Sequence, residues 1–329
     1  MTRRPGVTMS EVLVTIFVVA IGLAGVMSMF PFAARQMSDA LVSDRATSLS
    51  QSTDGLVRGY WKEKVVENNG NGEPFFDALD NPATAGITHP SFSTLPGPRP
   101  GEPSYPVFLD PMGVFRGTTN GANWVGDTST IVPRRSMKLV TASGNPSNAA
   151  LRMFSQADGF SWDEDSKPLT NAAEMRELRY NALAVIQRPT NRDKFSATLK
   201  IVVFLNRKHQ FYPAGSEAVF DATWTPGTTQ IQLPAGDPPT GADIKKGSWI
   251  MDAGGEVLPA TNPKTFIRHA NFYRVVSATE NTPGTYDVEL HTPVKRVDGG
   301  TLPYTAKAVV MAGVAEVYER SPLNGNSQP

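Results

Sequence analysis

Cysteine is absent from the 329 residues of this chain. Its absence excludes a disulfide framework, a thiolate metal site and a cysteine nucleophile. It also excludes a lipoprotein, because that class carries its lipid on an N-terminal cysteine. Any anchor or binding site must therefore be built from other side chains.

The chain also has no excess charge of either sign, because Lys plus Arg and Asp plus Glu each number 31. A nucleic-acid-binding protein usually carries a basic excess or a long basic face. The basic pairs Arg134-Arg135 and Lys245-Lys246 are short, and they favour solvated faces over a nucleic-acid track. We therefore predict no nucleic-acid partner.

Catalytic motifs are missing as well. The sequence contains no G-x-S-x-G nucleophile elbow, no H-E-x-x-H, no P-loop and no G-x-G-x-x-G. The four histidines are isolated in sequence, and each is interpreted as an ordinary surface or strand residue: His89, His209, His269 and His291. No enzymatic activity and no cofactor are predicted.

One acidic cluster, residues 158–165, could offer oxygen ligands to a hard cation such as calcium. Its candidate ligands are Asp158, Asp163 and Asp165. The cluster lacks the D-x-[DN]-x-[DN]-G order of a calcium loop. A solvated acidic loop is therefore the preferred interpretation, and no metal is predicted.

The most informative segment runs from Val12 to Ala34, 23 residues without one ionisable side chain. A hydrocarbon core of about 30 Å needs roughly 20 helical residues, so this segment predicts a membrane-spanning helix. Arg3 and Arg4 precede it, and the positive-inside tendency keeps such an N-terminus in the cytoplasm. Everything after Arg35 is then exported.

Three ordinary explanations compete for this segment. A cleaved secretory signal would use Ala33-Ala34 as its site, but the apolar run exceeds the roughly 7–15 residues of a signal peptide. A plain signal anchor explains the length and the orientation but not the residues around Gly6 and Glu11. A twin-arginine signal would need a different pattern after Arg3-Arg4 than Pro5-Gly6-Val7.

The basic segment Arg3-Arg4-Pro5-Gly6, followed by Glu11 as the fifth residue from Val7, resembles the start of type IV pilins and type II secretion pseudopilins. The segments 11–14 and 20–25 are similar to the minor, PilV-type members. The resemblance covers about the first 60 residues. It implies that a prepilin peptidase cuts between Gly6 and Val7 and methylates the new amine of Val7.

The same resemblance implies a role for Glu11 in assembly, by pairing with the N-terminal amine of a neighbouring subunit. A carboxylate deep in the membrane costs about 2.5–3.5 kcal/mol, so such residues usually have a partner. The alternative is that Glu11 lies among the headgroups, where it also suits the helix dipole. Pro31 predicts a kink near residues 27–30, because proline removes a backbone hydrogen bond.

Beyond the span, apolar residues recur at steps of three and four between 42 and 60, which predicts an amphipathic continuation of the helix. The turn-forming residues at 67–72 end it. We expect its outer half to pack against a sheet. Strands are predicted at 195–205 and 306–318, and short strands between them at 229–233, 248–252, 272–278 and 285–291.

The predicted fold class is α+β: a long kinked N-terminal transmembrane helix on a β-sheet head, with a small inserted β-barrel or sandwich. The predicted organisation is a leader at 1–6, the helix at 7–66, an exported head of loops and strands at 67–227, a small all-β unit at 228–298, and a closing strand with the C-terminal tail at 299–329.

Together these features favour a minor pilin or pseudopilin-like subunit with its helix in the inner membrane. Its expected partners are a prepilin peptidase and other pilin or pseudopilin subunits. Pili, secretion pseudopili and DNA-uptake filaments share these N-terminal features. The alternative is a signal-anchored, exported, β-rich binding module that does not assemble.

Overall fold

A computed structural model of the chain describes residues 8–83, 95, 97–116, 123–126, 130–138, 150, 153–156, 179–190, 192–207, 217–234, 244–254, 257–258, 265–266, 268–282, 285–296 and 300–325. The chain forms two compact units, Met1–Arg45 and Ala46–Pro329.

Helix α1 spans Met9–Tyr60, and a π-helical turn, Trp61–Val66, continues it. The combined 58 residues are long and apolar enough to cross a membrane. The α1 helix is unbroken at Pro31, and the kink expected there stays a prediction. The helical run ends where Asn69 and Gly70 adopt positive φ angles of 56° and 67°, a conformation that Asn and Gly tolerate best.

The rest of the described chain is mainly β-structure, as expected for an α+β fold, with two short helices, α2 (Pro74–Asp80) and α3 (Pro111–Arg116). The strands in the described residues are β1 (Val107–Leu109), β2 (Arg134–Arg135), β3 (Tyr180–Gln187), β4 (Ala197–Leu205), β5 (Glu217–Trp224), β6 (Gln230–Leu233), β7 (Trp249–Gly254), β8 (Val257–Leu258), β9 (Thr265–Phe266), β10 (His269–Thr282), β11 (Thr285–Leu290), β12 (Tyr304–Met311) and β13 (Val314–Leu323).

Five of these strands form one sheet in the order β13-β4-β3-β1-β2. All its pairs are antiparallel except β1 with β2. Strand β3 is buried along almost its whole length and β4 is buried at residues 201–204, which is typical of strands that are covered on both faces. This sheet is therefore the central layer of the unit Ala46–Pro329.

Six other strands form an antiparallel sheet in the order β5-β12-β7-β10-β11-β6. Its two end strands, β5 and β6, lie beside each other, so the sheet curls into a nearly closed barrel. The interior is filled by residues such as Trp224, Leu233, Ile250, Tyr273 and Val288. Two of its strands, β5 and β12, lie outside the bounds of 228–298 that were predicted for the small all-β unit.

The expectation of one strand from Ala306 to Tyr318 is wrong. The chain turns at Ala312 and Gly313, where Gly313 has a φ of +77°, and then enters β13. Strand β12 belongs to the six-stranded sheet and β13 to the five-stranded sheet. The apolar run conceals this crossing because Ala312 at the turn is itself buried.

The five-stranded sheet has a different neighbour on each face. One face shares a core with the barrel wall, including Phe108, Val202, Met251 and Ala270. Alternate side chains of β13 divide between the faces: Val317 packs against that core, whereas the Tyr318 hydroxyl meets the α1 residue Thr47 at 3.1 Å. Helix, sheet and barrel are thus three successive layers.

Candidate functional site

Three regions are candidates for a functional site: the apolar start of α1, the docked part of α1, and buried polar groups in the head. The head is here the part of the unit Ala46–Pro329 that follows the helix and contains both large sheets. At the start of α1, no part of the most apolar segment is buried. Leu13, Phe17 and Phe30 are 59%, 65% and 76% exposed. Water is a poor environment for this much contiguous apolar surface, and the segment is long and apolar enough to cross a membrane.

Glu11 lies in the first turn of α1. Its backbone N–H donates to the Thr8 carbonyl at 3.1 Å, and the Thr15 hydroxyl donates to the Glu11 carbonyl at 2.7 Å. The Glu11 side chain is exposed, and it has no ion-pair or hydrogen-bond partner among the described residues. Within the described part of the chain, its carboxylate therefore has nothing to pair with beside the apolar segment.

The processing residues Gly6 and Val7 lie outside the described residues. The same is true of the calcium candidates Asp158, Asp163 and Asp165. Within the described ranges, no group of three or more His, Asp or Glu residues has the proximity to hold a metal ion. Cleavage at Gly6 stays a prediction.

From Ala46 onwards, α1 is docked on the five-stranded sheet. Its contact face consists of residues at helical spacing, buried as a set: Ala46, Leu49, Ser50, Thr53, Val57 and Tyr60. Arg320 of β13 donates to the Ser50 hydroxyl, and Arg58 of the helix donates to the Pro322 carbonyl at 3.1 Å. The Trp61 indole N–H donates to the Phe195 carbonyl at 3.1 Å. Apolar burial and polar contacts together fix this part of the helix.

A buried ion network lies where the chain passes from the five-stranded sheet to the barrel. Arg134 Nε is 3.1 Å from Asp110 Oδ2, and Arg134 Nη2 is 2.5 Å from Glu217 Oε1. Arg207 contacts the same two carboxylates, at 2.8 Å and 3.5 Å. All four side chains are at most 2% exposed. Two cations and two anions thus neutralise each other inside the head.

The network shifts the pKa values of Asp110 and Arg134. Burial tends to raise the pKa of Asp110, but the charges of Arg207 and Arg134 outweigh burial and hold its pKa below the ordinary value of 3.8. Burial likewise tends to lower the pKa of Arg134, but Glu217 and Asp110 raise it overall. The pairing therefore keeps both groups charged in the folded protein.

The interpretation of Arg134-Arg135 as a solvated face is wrong. Arg134 is 1% exposed and Arg135 is 3% exposed. Arg135 donates to the Asn123 carbonyl at 3.1 Å and lies over the Trp124 ring. The pair follows the buried segment Ile131–Pro133, so it enters the interior with its neighbours. The other pair, Lys245-Lys246, is exposed.

His269 belongs to a second buried polar group that spacing along the sequence did not reveal. Its Nε2 lies 2.7 Å from Asp252 Oδ2, and the Tyr304 hydroxyl donates to the same oxygen. The three residues are on the neighbouring strands β10, β7 and β12. Burial, followed by the charge of Asp252, raises the pKa of Tyr304 far above its ordinary value. All three side chains are at most 2% exposed. Because they come from three neighbouring strands, their contacts link those strands within the barrel wall.

The close packing of His269 leaves room only for glycine at position 254. A side chain there would place its Cβ 2.5 Å from His269 Cε1, well inside contact distance. The remaining described histidine, His291, is exposed, and His89 and His209 lie outside the described residues. The His269 cluster is therefore a packed interior feature rather than a site open to substrate.

Comparison of the chain with protein-family models, with curated proteins and with solved structures found no match. Its function must therefore be argued from its own residues and geometry.

Proposed function

We propose that this chain is a minor pilin or pseudopilin-like subunit of a type IV pilus or type II secretion type filament. The observation that carries the proposal is the position of Glu11 in the first turn of a long, apolar and exposed helix. In this proposal the helix lies in the inner membrane before assembly. In the filament it packs among the helices of other subunits.

The carboxylate of Glu11 supplies the physical reason for ordered assembly. A charge at the edge of the hydrocarbon is costly without a partner, and the Glu11 carboxylate has none among the residues that the structure describes. Cleavage between Gly6 and Val7 by a prepilin peptidase creates a new amine. Pairing of that amine with Glu11 of a neighbouring subunit neutralises both charges only when the two helices have the correct axial offset.

The docked part of α1 supports the same proposal. Residues from Ala46 to Tyr60 pack on the five-stranded sheet, so this part of the helix is fixed to the head. The arginines before the span favour a cytoplasmic N-terminus and a periplasmic or extracellular head. A head with both a sheet and a barrel is bulky for a closely packed shaft, which favours a minor or tip subunit.

The test is the mass of the N-terminal peptide after co-expression with a prepilin peptidase. We expect a peptide that begins at N-methylated Val7 in the wild type and is lost in Gly6→Leu. Gly25→Leu is a matched control, because a Cβ added at this helical glycine meets nothing within 4 Å. This variant should be processed normally.

A peptide that still begins at Met1, or a cut near Ala34, would contradict the proposal. The chain would then be a signal-anchored or secreted β-rich binding module, and Glu11 would have no role in assembly. Processing therefore separates the two functions without any knowledge of the filament type.

A further inference from the structure

A cleft of about 350 Å³ opens in the head between the barrel wall and the five-stranded sheet. Its volume falls in the range of about 300–1,000 Å³ that is typical of small-molecule sites. Strand β10 contributes one side and β13 the other. The cleft lies wholly within the unit Ala46–Pro329, so it is formed by one compact body.

The floor of the cleft extends the core between the two sheets. Phe272 and Val317 line the cleft and also pack against that core. Trp249 lines it from the start of β7 and is only half-buried. Trp249 is paired in register with Arg274 of β10, so an aromatic ring and a guanidinium group lie side by side on one sheet face.

Charged groups surround this apolar floor. Arg274 is half exposed and lies 3.8 Å from Glu316, and Lys200 lies 4.0 Å from Glu319. Both distances exceed those of a close ion pair, so these charges are only loosely satisfied within the chain. With Lys295, the lining contains three cations against two carboxylates, which favours a ligand that carries negative charge.

Lys200 is held firmly in place. Its ammonium donates to the Ala270 carbonyl at 3.1 Å and to Asn271 Oδ1 at 3.3 Å. Burial is the main reason that its pKa is lower than usual. A fixed, partly desolvated cation beside an aromatic surface is suited to bind an anion whose other face is apolar.

We propose that this cleft binds an acidic saccharide, that is, a sugar ring bearing a carboxylate. The C–H face of the ring packs on Trp249, and the carboxylate lies at Arg274 and Lys200. Glu316 and Glu319 accept hydrogen bonds from the sugar hydroxyls. A few charged groups around an aromatic floor give both orientation and selectivity, as in other small-molecule sites.

This inference does not depend on filament assembly. The cleft is formed by the head alone, and it would serve an assembled subunit and an anchored binding module equally. Failure of leader processing would therefore leave it untouched, and failure of sugar binding would leave the assembly proposal untouched.

The experiment is isothermal titration calorimetry of the full-length chain in detergent micelles with glucuronate and galacturonate. Glucose is the neutral control. We expect saturable binding of at least one uronate, weakened by added salt, and no comparable binding of glucose. Arg274→Gln should weaken uronate binding about tenfold or more, because it removes a charge-assisted hydrogen bond. Trp249→Leu should weaken it by removing the stacking surface.

The matched control is Lys62→Gln, an exposed cation on the π-helical turn outside the cleft lining, which should bind as the wild type does. Arg274 is half exposed, so its replacement should leave the thermal unfolding midpoint nearly unchanged. The inference is overturned by equal binding of glucose and the uronates, or by unchanged binding in Arg274→Gln. It is also overturned if neither uronate binds up to about 10 mM.

Discussion

The guanidinium group of Arg207 donates two hydrogen bonds to the carboxylate of Asp110, at 3.0 Å to Oδ1 and 2.8 Å to Oδ2. The two residues are 97 positions apart, and their side chains are 1% and 0% exposed. Asp110 follows β1 and Arg207 follows β4, so the pair joins two strands of the five-stranded sheet near their ends. Glu217, which opens the first barrel strand, is linked to the same guanidinium at 3.5 Å.

We expect Asp110→Asn to destabilise the head by about 3–5 kcal/mol, because it leaves Arg207 and Arg134 buried with one carboxylate between them. Urea unfolding of the full-length chain in detergent, followed by tryptophan fluorescence, measures this free energy of unfolding. Trp124 and Trp224 are both fully buried and should report on loss of the head structure.

Asp221→Asn is the matched control for this change. Asp221 pairs with Lys307 at 2.6 Å, but its side chain is 69% exposed. An exposed pair of this kind contributes no more than about 1 kcal/mol. Equal effects of the two substitutions would show that the buried network does not hold the two sheets together.

The dependence of stability on pH should reveal the same pair. Because the folded pKa of Asp110 lies below its ordinary value of 3.8, its pairing stabilises the fold fully above that pH. As the pH falls from 3.8 through the folded pKa, the unfolded chain binds more protons than the folded chain, and this stabilisation is lost. Urea unfolding between about pH 2.5 and 6 should show the decline.

The contribution of Asp110 to that decline is isolated by comparison with Asp110→Asn, which has no carboxyl group to titrate. We expect the variant to lose less stability than the wild type below pH 3.8. Parallel pH profiles for the two proteins would contradict the assignment of a lowered pKa to Asp110.

Gly313 controls the passage of the chain from the barrel to the five-stranded sheet. Its φ is +77°, and an added Cβ would lie 2.7 Å from the Leu205 carbonyl oxygen. The Leu205 N–H also donates to the Gly313 carbonyl at 2.7 Å. We therefore expect Gly313→Ala to cost more than the about 1–2 kcal/mol of a left-handed backbone conformation alone.

Gly227 provides the comparison for that prediction. Its φ is +84°, but an added Cβ would meet nothing within 4 Å. Gly227→Ala should therefore show only the backbone cost of about 1–2 kcal/mol in the same urea unfolding experiment. A smaller loss in Gly313→Ala than in Gly227→Ala would refute the role given to the Leu205 contact.

The features that could be predicted from the sequence are those set by local patterns. The apolar run from Val12 to Ala34 and the helical spacing after it predicted one long helix, and a helix over these residues is confirmed. The strand predicted at 195–205 appears as β4 at Ala197–Leu205, because β-branched and apolar residues recur within a single short segment. In both cases the decisive residues are close together in the chain.

The remaining features depend on contacts between distant residues. Arg134 is buried because its two carboxylate partners come from positions 110 and 217, and no local pattern contains all three. His269 meets Asp252 and Tyr304 only because β10, β7 and β12 are neighbours in the sheet. The turn at Gly313 was missed because one glycine in an apolar run does not indicate which sheet each half joins.

Glu11 is the residue on which the proposed assembly depends most directly. In the proposed filament, Glu11→Ala leaves the N-terminal amine of a neighbouring subunit without its counter-charge, and an unpaired charge in contact with hydrocarbon is costly. We expect the variant to reach the membrane at wild-type levels but to be lost from sheared filaments co-assembled with the other subunits. Quantitative immunoblotting of the filament and membrane fractions measures both.

Two further variants separate charge from other effects of that substitution. Glu11→Gln keeps the length of the side chain but not its charge, so it should fail in the same way as Glu11→Ala. Asp39→Ala removes an exposed carboxylate from the same helix, beyond the apolar segment, and should assemble normally. If Glu11→Gln assembles as well as the wild type, the charge of Glu11 is not what aligns the subunits, and its place among the lipid headgroups becomes the better explanation.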